Sequence, residues 1–446
     1  MALLPLGTLC ADQPKETAAA RGYRWLTEKP YLPADLDEAM FVELWRQWPE
    51  ADLRAQAAEL KGPALRRLLF SYYGLTARPG DESGKPLQYV VDDQGRWFMN
   101  CFACHGGQVA GQVVPGAPNS NYALASLVED VRMAKLLAGK PLGHMELGSL
   151  AMPLGRTNGT TNAVMFGVAL LAQREPDLTV KPLTRPPPMV HHDMDAPPWW
   201  HFKKRDMIYI DGFAPKGARP LMQFMLVREN GPEKFHAWED DFRDVYAYLE
   251  SIEAPRWPYA IDAALAAKGR RIFERRCAEC HGTYDDDPAR ETYPNRLVPI
   301  DRVATDRVRL NSLSVEHRER YAQSWFADFG ERKTRTDPGG YVAPPLDGVW
   351  ASAPYLHNGS VPTLWHLLHA DERPKIWQRT ADGYDPARVG LEIQTFDQLP
   401  ADVDTDRAAR RYFDTRRFGK SAAGHEFPES LAEPEKQALL EYLKTL

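Results

Sequence analysis

Two short segments concentrate the residues that could do chemistry. Residues 97–107 read WFMNCFACHGG, with His105 directly behind Cys101 and Cys104, and RRCAECHG repeats the order with Cys277, Cys280 and His281. Such a set could hold zinc, make a redox disulfide or fix a haem. Zinc wants four ligands close together, whereas these pairs lie far apart in the chain. A redox pair of the thioredoxin kind would not need the histidine twice. Covalent haem fits for a geometric reason. One helical turn sets two sulfurs at the spacing of the two vinyl groups, and the following histidine aims its imidazole at the iron. The reading is two haem c groups, attached through Cys101, Cys104, Cys277 and Cys280, with His105 and His281 as proximal ligands.

Each proximal histidine leaves the opposite face of its iron to a sixth ligand. All twelve methionines lie at or before Met225, so none follows His281. The histidines of that half are His317, His357, His366, His369 and His425. They point to a bis-histidine iron of lower potential, unless tyrosine or water takes the place. His425 sits in AAGHEF, on a loop just ahead of the closing helix, from where it could swing over the ring. His357 sits in APYLHNGSVPTLWHLL, in a tight turn before a helix starting near Pro362. It fits better beside a propionate, or behind a ligand, than on the iron. His366 and His369 share a helix face and point to solvent or to neighbours. Around His105 the choice is wider: His144, His191, His192, His201, His236 and many methionines could reach, and an open or water-bound position fits equally. An open iron is where O2 or peroxide chemistry occurs.

These side chains need helices to aim them. DFRDVYAYLESIEAP (241–255) is amphipathic, with Val245, Tyr248, Leu249 and Ile252 on one face. EKQALLEYLKTL (435–446) repeats its Tyr-Leu pair as Tyr442 and Leu443. Each half thus reads motif, long middle, closing helix, with proline-punctuated APRWPYAID (254–262) as the linker. The second half opens with AALAAKGRRIFERRCAECHG, a helix running into its motif. Ahead of the first motif, ADLRAQAAELKGPALRRLLFSYYGL (51–75) predicts a helix broken at Gly62-Pro63. Behind it, NSNYALASLVEDVRMAKLLAG predicts a helix with Asn/Ser capping and a glycine stop, and TTNAVMFGVALLAQRE (160–175) a further apolar helix. KPLTRPPPMVHHDMDAPP (181–198) reads as a loop. With 37 prolines and little alternation of the strand kind, the expected fold is mainly α with long irregular loops and a few short strands.

At 446 residues two domains are expected, 16–255 and 256–446, each with room for a core. The preceding 1–15 is a short apolar run ending in small residues. It reads as the clipped end of a secretory signal or else as a disordered tail, with Cys10 outside the functional fold. A periplasmic or secreted location follows from the signal reading. Lys and Arg total 55 against 61 Asp and Glu, a formal charge of −6, which disfavours nucleic acid or an anionic membrane as partner. No apolar run reaches roughly eighteen residues, the length that crosses a bilayer.

With both C-x-x-C-H segments, APPLDGVWASAPYLHNGSVPTL resembles the di-haem cytochrome c peroxidase superfamily, which includes MauG-type enzymes. PPWWHFKKRDMIYIDGF, GHEF and the closing LLEYLKTL are similar to the branch of bacterial rubber oxygenases, over most of residues 50–446. The resemblance implies two cytochrome-c-like domains. The C-terminal haem, ligated by both His281 and His425, would be electron-transferring, and the N-terminal haem on His105 would be the reaction site. In rubber oxygenases an aromatic pair lies over that haem's oxygen site, and Trp200 and Phe213 are the nearest counterparts. The competing reading is that Trp199, Trp200 and Phe213 simply pack the core or the domain junction. The chain departs from the pattern by being shorter than the polymer-cleaving enzymes. It also lacks the methionine that peroxidases put on their electron-accepting haem, and their distal glutamate has no evident counterpart.

The leading functional reading is a haem oxidoreductase acting on O2 or H2O2 and an unidentified substrate. The second haem would supply or store electrons, Trp199 or Trp200 could relay them, and a small electron-transfer protein could serve as partner. An oxygenase needs an apolar distal pocket, and a peroxidase an acid–base group near the iron; the missing glutamate leans toward the oxygenase. A non-enzymatic di-haem electron carrier is the alternative. An interdomain calcium is left open, with no residue pattern behind it.

Overall fold

The computed structural model describes residues 16–182 and 188–446. The 1–15 segment with Cys10, and part of the 181–198 loop, lie outside the described residues. Helix α1 (Ala18–Glu28) is capped by Thr17, whose hydroxyl accepts from the Ala20 amide at 3.1 Å. Before the first motif the chain then builds a small unit. It comprises strand β1 (Leu36–Asp37), helices α2 (Ala51–Glu59) and α3 (Gly62–Tyr73), and strands β2 (Tyr89–Val91) and β3 (Arg96–Met99). The three strands pair antiparallel in the order β1-β3-β2. The expected break at Gly62-Pro63 is present, with proline opening α3, where its missing N–H costs nothing. Phe41, Leu44, Trp48, Leu69, Tyr73 and Trp97 bury one another, together with Leu127 and Val131 of helix α4 (Leu124–Leu137), in a core of their own.

The predicted cap of α4 is absent: no side chain caps its start. Asn119 works elsewhere, its amide donating to the carbonyls of Gly74 and Ala103 at 3.0 and 3.2 Å, which ties the end of α3 to the first motif. Helix α5 (Ala163–Ala172) and helix α6 (Glu239–Ser251) complete this half. Val245 and Leu249 of α6 are buried as expected. Helix α6 crosses α1 so closely that a Cβ on Gly22 would fall on the Asp244 carbonyl and against Tyr248. The Asp244 carboxylate holds the crossing from the side, accepting from Arg21 Nε at 2.8 Å and Trp25 Nε1 at 3.2 Å.

The second half opens with α7 (Ala263–Arg276), capped by Asp262, which accepts from the Ala264 and Leu265 amides at 3.0 Å each. Helix α8 (Val315–Ala322), strands β4 (Ile376–Asp385), β5 (Gly390–Phe396) and β6 (Tyr412–Asp414), and helix α9 (Glu433–Leu443) follow. Helices α7 and α9 cross as α1 and α6 do. A Cβ on Gly269 would fall on the Ala438 carbonyl and against Tyr442. The β5-β4-β6 sheet is larger than the sequence suggested. Its apolar anchors sit at both ends, Ile376 and Trp377 at one and Leu391, paired with Tyr384, at the other, and Trp377 stacks on its register partner Phe413 at 5.0 Å. A hairpin anchored only at its two ends and interrupted in register between Arg379 and Tyr384 leaves little period-two alternation to read. The larger core runs across the linker, joining Phe242 and Leu249 of α6 to Ile272 and Phe273 of α7 and Leu439 of α9.

Candidate functional site

Both C-x-x-C-H segments fold as one short helical turn, Phe102–His105 and Ala278–His281. All four cysteines are half-buried, and none pairs in a disulfide among the described residues. Burial pushes the Cys101 thiol up to about 12 and Cys277 to about 11. Redox-active cysteines sit in settings that lower the thiol instead, so these environments speak against the redox-disulfide chemistry considered above.

The two histidines are oriented by the same device. His105 Nδ1 donates to the Pro197 carbonyl at 3.0 Å, and His281 Nδ1 donates to the Pro344 carbonyl at 2.8 Å. Each acceptor is the first proline of an Ala-Pro-Pro, 196–198 and 343–345. A carbonyl on Nδ1 fixes the tautomer and leaves Nε2 as the free lone pair, the arrangement of a ligating histidine. Burial depresses His105 to about 4 and lowers His281, so both rings are neutral at neutral pH.

Beyond this point the sites diverge. The ring of His425 faces that of His281, with centroids 6.1 Å apart. A metal–nitrogen bond is about 2 Å and the ring centre lies about 1 Å further, so two imidazoles on opposite faces of one ion are separated by about 6 Å. The pair therefore fits a single iron between its rings. The loop that presents His425 is tightly held. The backbone turns through Gly424 (φ +82°) into His425 (φ +51°), and the His425 amide donates to the Val303 carbonyl at 2.7 Å. A Cβ on Gly424 would collide with the backbone of Ala304 and Thr305. Arg373 clamps the same loop, with Nη1 on the Ala422 and Gly424 carbonyls at 2.6 and 2.7 Å. A left-handed non-glycine residue costs about 1 kcal/mol or more, and such a conformation persists where its surroundings enforce it.

No histidine stands opposite His105 in ring contact among the described residues; its ring stacks on Trp199, with centroids 4.8 Å apart. Trp200, the next residue, points away from that stack. Its indole donates to the Asp347 carbonyl at 2.7 Å, three residues beyond the proline that orients His281. Phe213 stacks on Tyr209 at 4.6 Å and meets Tyr321 edge-on at 5.2 Å. His357 is half-buried, its ring partner is Tyr341 at 4.6 Å, and desolvation, with Arg309 and His192 nearby, depresses it to about 3. His366 and His369 turn to neighbours, Thr363 for the first and Glu433 for the second.

The sequence reading missed several groups. Asp211, in the IYIDGF stretch, is buried between Arg309 and Arg318, which share this one carboxylate. The Nε atoms of both arginines lack a hydrogen-bond partner among the described residues. Two enclosed cations on one anion leave a charge to be met, and burying it unmet is costly. Gln223 and Tyr321 were likewise unread. The signal the sequence does carry is the repeated tripeptide Ala-Pro-Pro, at 196–198 and 343–345.

Residues 340–378 match a family described as RoxA-like, cytochrome c-like. That window contains Pro344 and the His357-Asn358-Gly359-Ser360 turn, and the match agrees with the rubber-oxygenase-like part of the resemblance. Among curated proteins, the chain is 29% identical over 258 residues to the uncharacterized protein y4iM of Sinorhizobium fredii, covering 52% of this chain and 56% of that one. It is also 29% identical over 258 residues to the uncharacterized protein y4iJ of the same organism, covering 44% of this chain and 41% of that one. The chain thus spans about half the length of the curated relatives it matches. No helix among the described residues is long and apolar enough to cross a membrane. A cytochrome c-like segment implies covalently bound haem c and a redox role for this chain.

Proposed function

We propose that the chain is a periplasmic di-haem c-type oxidoreductase. It would activate O2 or H2O2 at the iron on His105 and move electrons through a bis-histidine iron on His281 and His425. The observation that carries the reading is the asymmetry: His425 faces His281 across the width of one iron, while among the described residues the ring contact of His105 is Trp199. When bound, haem c supplies an iron that exchanges electrons and, where one face is free, takes up a small oxygen species.

The chain's residues divide the work. Cys101 and Cys104, and Cys277 and Cys280, would anchor the two groups. Pro197 and Pro344 hold the proximal rings, and Arg373 keeps the His425 loop seated. Arg309, short of a counter-charge, suits a propionate, with His357 beside it. Trp199 and Trp200 span the two sites. Trp199 lies on His105, and the Trp200 indole bonds the chain segment that also orients His281. With both groups bound, these contacts would offer a route for electrons between them. The RoxA-like match supports the oxygenase-like branch of the reading over the peroxidase-like one.

The ferric holoprotein tests it by its optical and paramagnetic spectra. One low-spin and one high-spin iron, the latter shifting with cyanide, are expected. Two low-spin irons that ignore cyanide, O2 and peroxide would instead make the chain an electron carrier.

A further inference from the structure

One stretch of backbone is bonded toward both sites. Segment 193–197 ends at Pro197, whose carbonyl orients His105. Two contacts join the segment to the second half. The Asp195 amide donates to the His357 carbonyl at 2.9 Å, and the Asp193 carboxylate pairs with the Lys420 ammonium at 2.6 Å. Lys420 belongs to the 419–425 loop that presents His425. A third contact closes the triangle. Asn358, next to His357, donates through Nδ2 to the Gly419 and Ser421 carbonyls at 3.2 and 3.0 Å, and its Oδ1 accepts from the Ser360 amide at 3.2 Å.

The corners are shut off from water. Asn358 is fully buried, with both ends of its amide engaged. The Lys420 and Asp193 side chains are 1% and 3% exposed, and the Thr157 hydroxyl accepts from the same ammonium. Desolvating two charges costs about as much as their attraction returns, so such a pair adds little stability by itself. A displaced loop would leave one charge buried alone, so the pair penalises every seating but this one. The Arg373 clamp is separate. It bonds the loop at Ala422 and Gly424 and otherwise reaches only the His366 and Leu367 carbonyls of its own half.

We infer that Asn358 and the Lys420–Asp193 pair are positioning residues for both irons at once. They seat the loop that brings His425 to the second site, and through segment 193–197 they fix the carbonyl that aims His105 at the first. The inference rests on the ligand assignments of the oxidoreductase reading and adds a support common to the two sites. An acceptor on Nδ1 sets the orientation and basicity of a ligating histidine, so a displaced Pro197 carbonyl alters what the His105 iron binds.

The test uses the full-length holoprotein. Asn358→Ala opens one corner of the triangle. The double variant Asp193→Asn, Lys420→Met removes both charges and strands neither, and the new amide can still accept from the Arg156 backbone as Asp193 does at 2.9 Å. Arg373→Ala loosens the loop from its own half and is the control. The second iron is read by the low-spin share of the ferric paramagnetic spectrum. The first is read by its cyanide dissociation constant and by the iron–histidine stretch of the ferrous form. Asn358→Ala and the double variant should lower the low-spin share, move the stretch and shift the cyanide constant about tenfold. Arg373→Ala should lower the low-spin share and leave cyanide binding and the stretch unchanged. Should Asn358→Ala not fold, the double variant alone decides. A change confined to one iron in the triangle variants, or in neither, overturns the common support, as does an equal cyanide shift in Arg373→Ala. A wild type whose second iron is not low-spin overturns the ligand assignment underneath, before any variant is compared.

Discussion

The two C-x-x-C-H halves use one proximal design and two distal ones. In each, an entering helix meets the closing helix through a glycine, Gly22 against Asp244 and Tyr248, Gly269 against Ala438 and Tyr442. In each, the histidine gives its Nδ1 proton to the first proline of an Ala-Pro-Pro. The halves part on the far side of the iron. The second delivers His425 on a clamped, left-handed turn. The first sets no histidine in ring contact opposite His105 among the described residues, and lays Trp199 flat on the proximal ring itself. They differ also in continuity, since α7 runs straight into its motif while α1 is separated from its own by a unit with a separate core. Keeping the proximal side fixed and varying the distal one lets a single fold carry an iron built for electron transfer and another built for reaction.

The comparison breaks most sharply at His425. His425→Ala should convert one whole low-spin iron to high spin and leave the His105 signal unaltered. An unchanged low-spin signal would erase the distal difference. The inserted unit should give the first half a pH dependence of its own. Asp35 is buried, and desolvation, with Glu146 nearby, raises it to about 7 from an ordinary 3.8, against the opposing pull of Lys135. His144 also faces it, with Nε2 3.8 Å from Oδ1. Between those values the folded state holds a proton that the unfolded state has released, so this group's contribution to stability is fully present below about pH 4 and is lost as pH rises toward 7. Asp35→Asn should flatten that fall, worth up to about 4 kcal/mol, in urea titrations at several pH values. A slope that persists in the variant would assign the effect to another group.

Smaller changes probe what is shared. Gly22→Val and Gly269→Val should each cost about 3 kcal/mol by overpacking, read as shifted denaturation midpoints. Similar losses support equivalent crossings, and a mild loss at one alone denies the equivalence. Trp200→Phe should cost about 1 kcal/mol, because His201 Nε2 still donates to the Asp347 carbonyl at 2.9 Å. It should also slow electron exchange between the irons; an unaltered exchange rate would take Trp200 out of the route.

Legibility in the sequence followed how local each feature is. The two motifs, the closing helices with Tyr248 and Tyr442, the Gly62-Pro63 break and the position of His425 ahead of α9 are all written within short windows. The α1–α6 crossing was invisible because the glycine and its partner carbonyl stand far apart in the chain. Gln223 and Tyr321 line one small void together with Gly167 of α5 and Phe213, a grouping that no single segment encodes. The predicted cap of α4 failed because Asn119 found better-placed carbonyls at Gly74 and Ala103. Trp200 and Phe213, read together, occupy different surroundings: the first bonds Asp347, and the second borders the void.

The linker raises a further consequence. Residues 258–262 are exposed and belong to neither helix nor strand, while the core on both sides of them is shared. A protease would find this seam before any other part of the junction, yet a single nick there releases nothing. The fragments would remain clasped through α6, α7 and α9, migrating as one particle on a sizing column and as two bands on a denaturing gel.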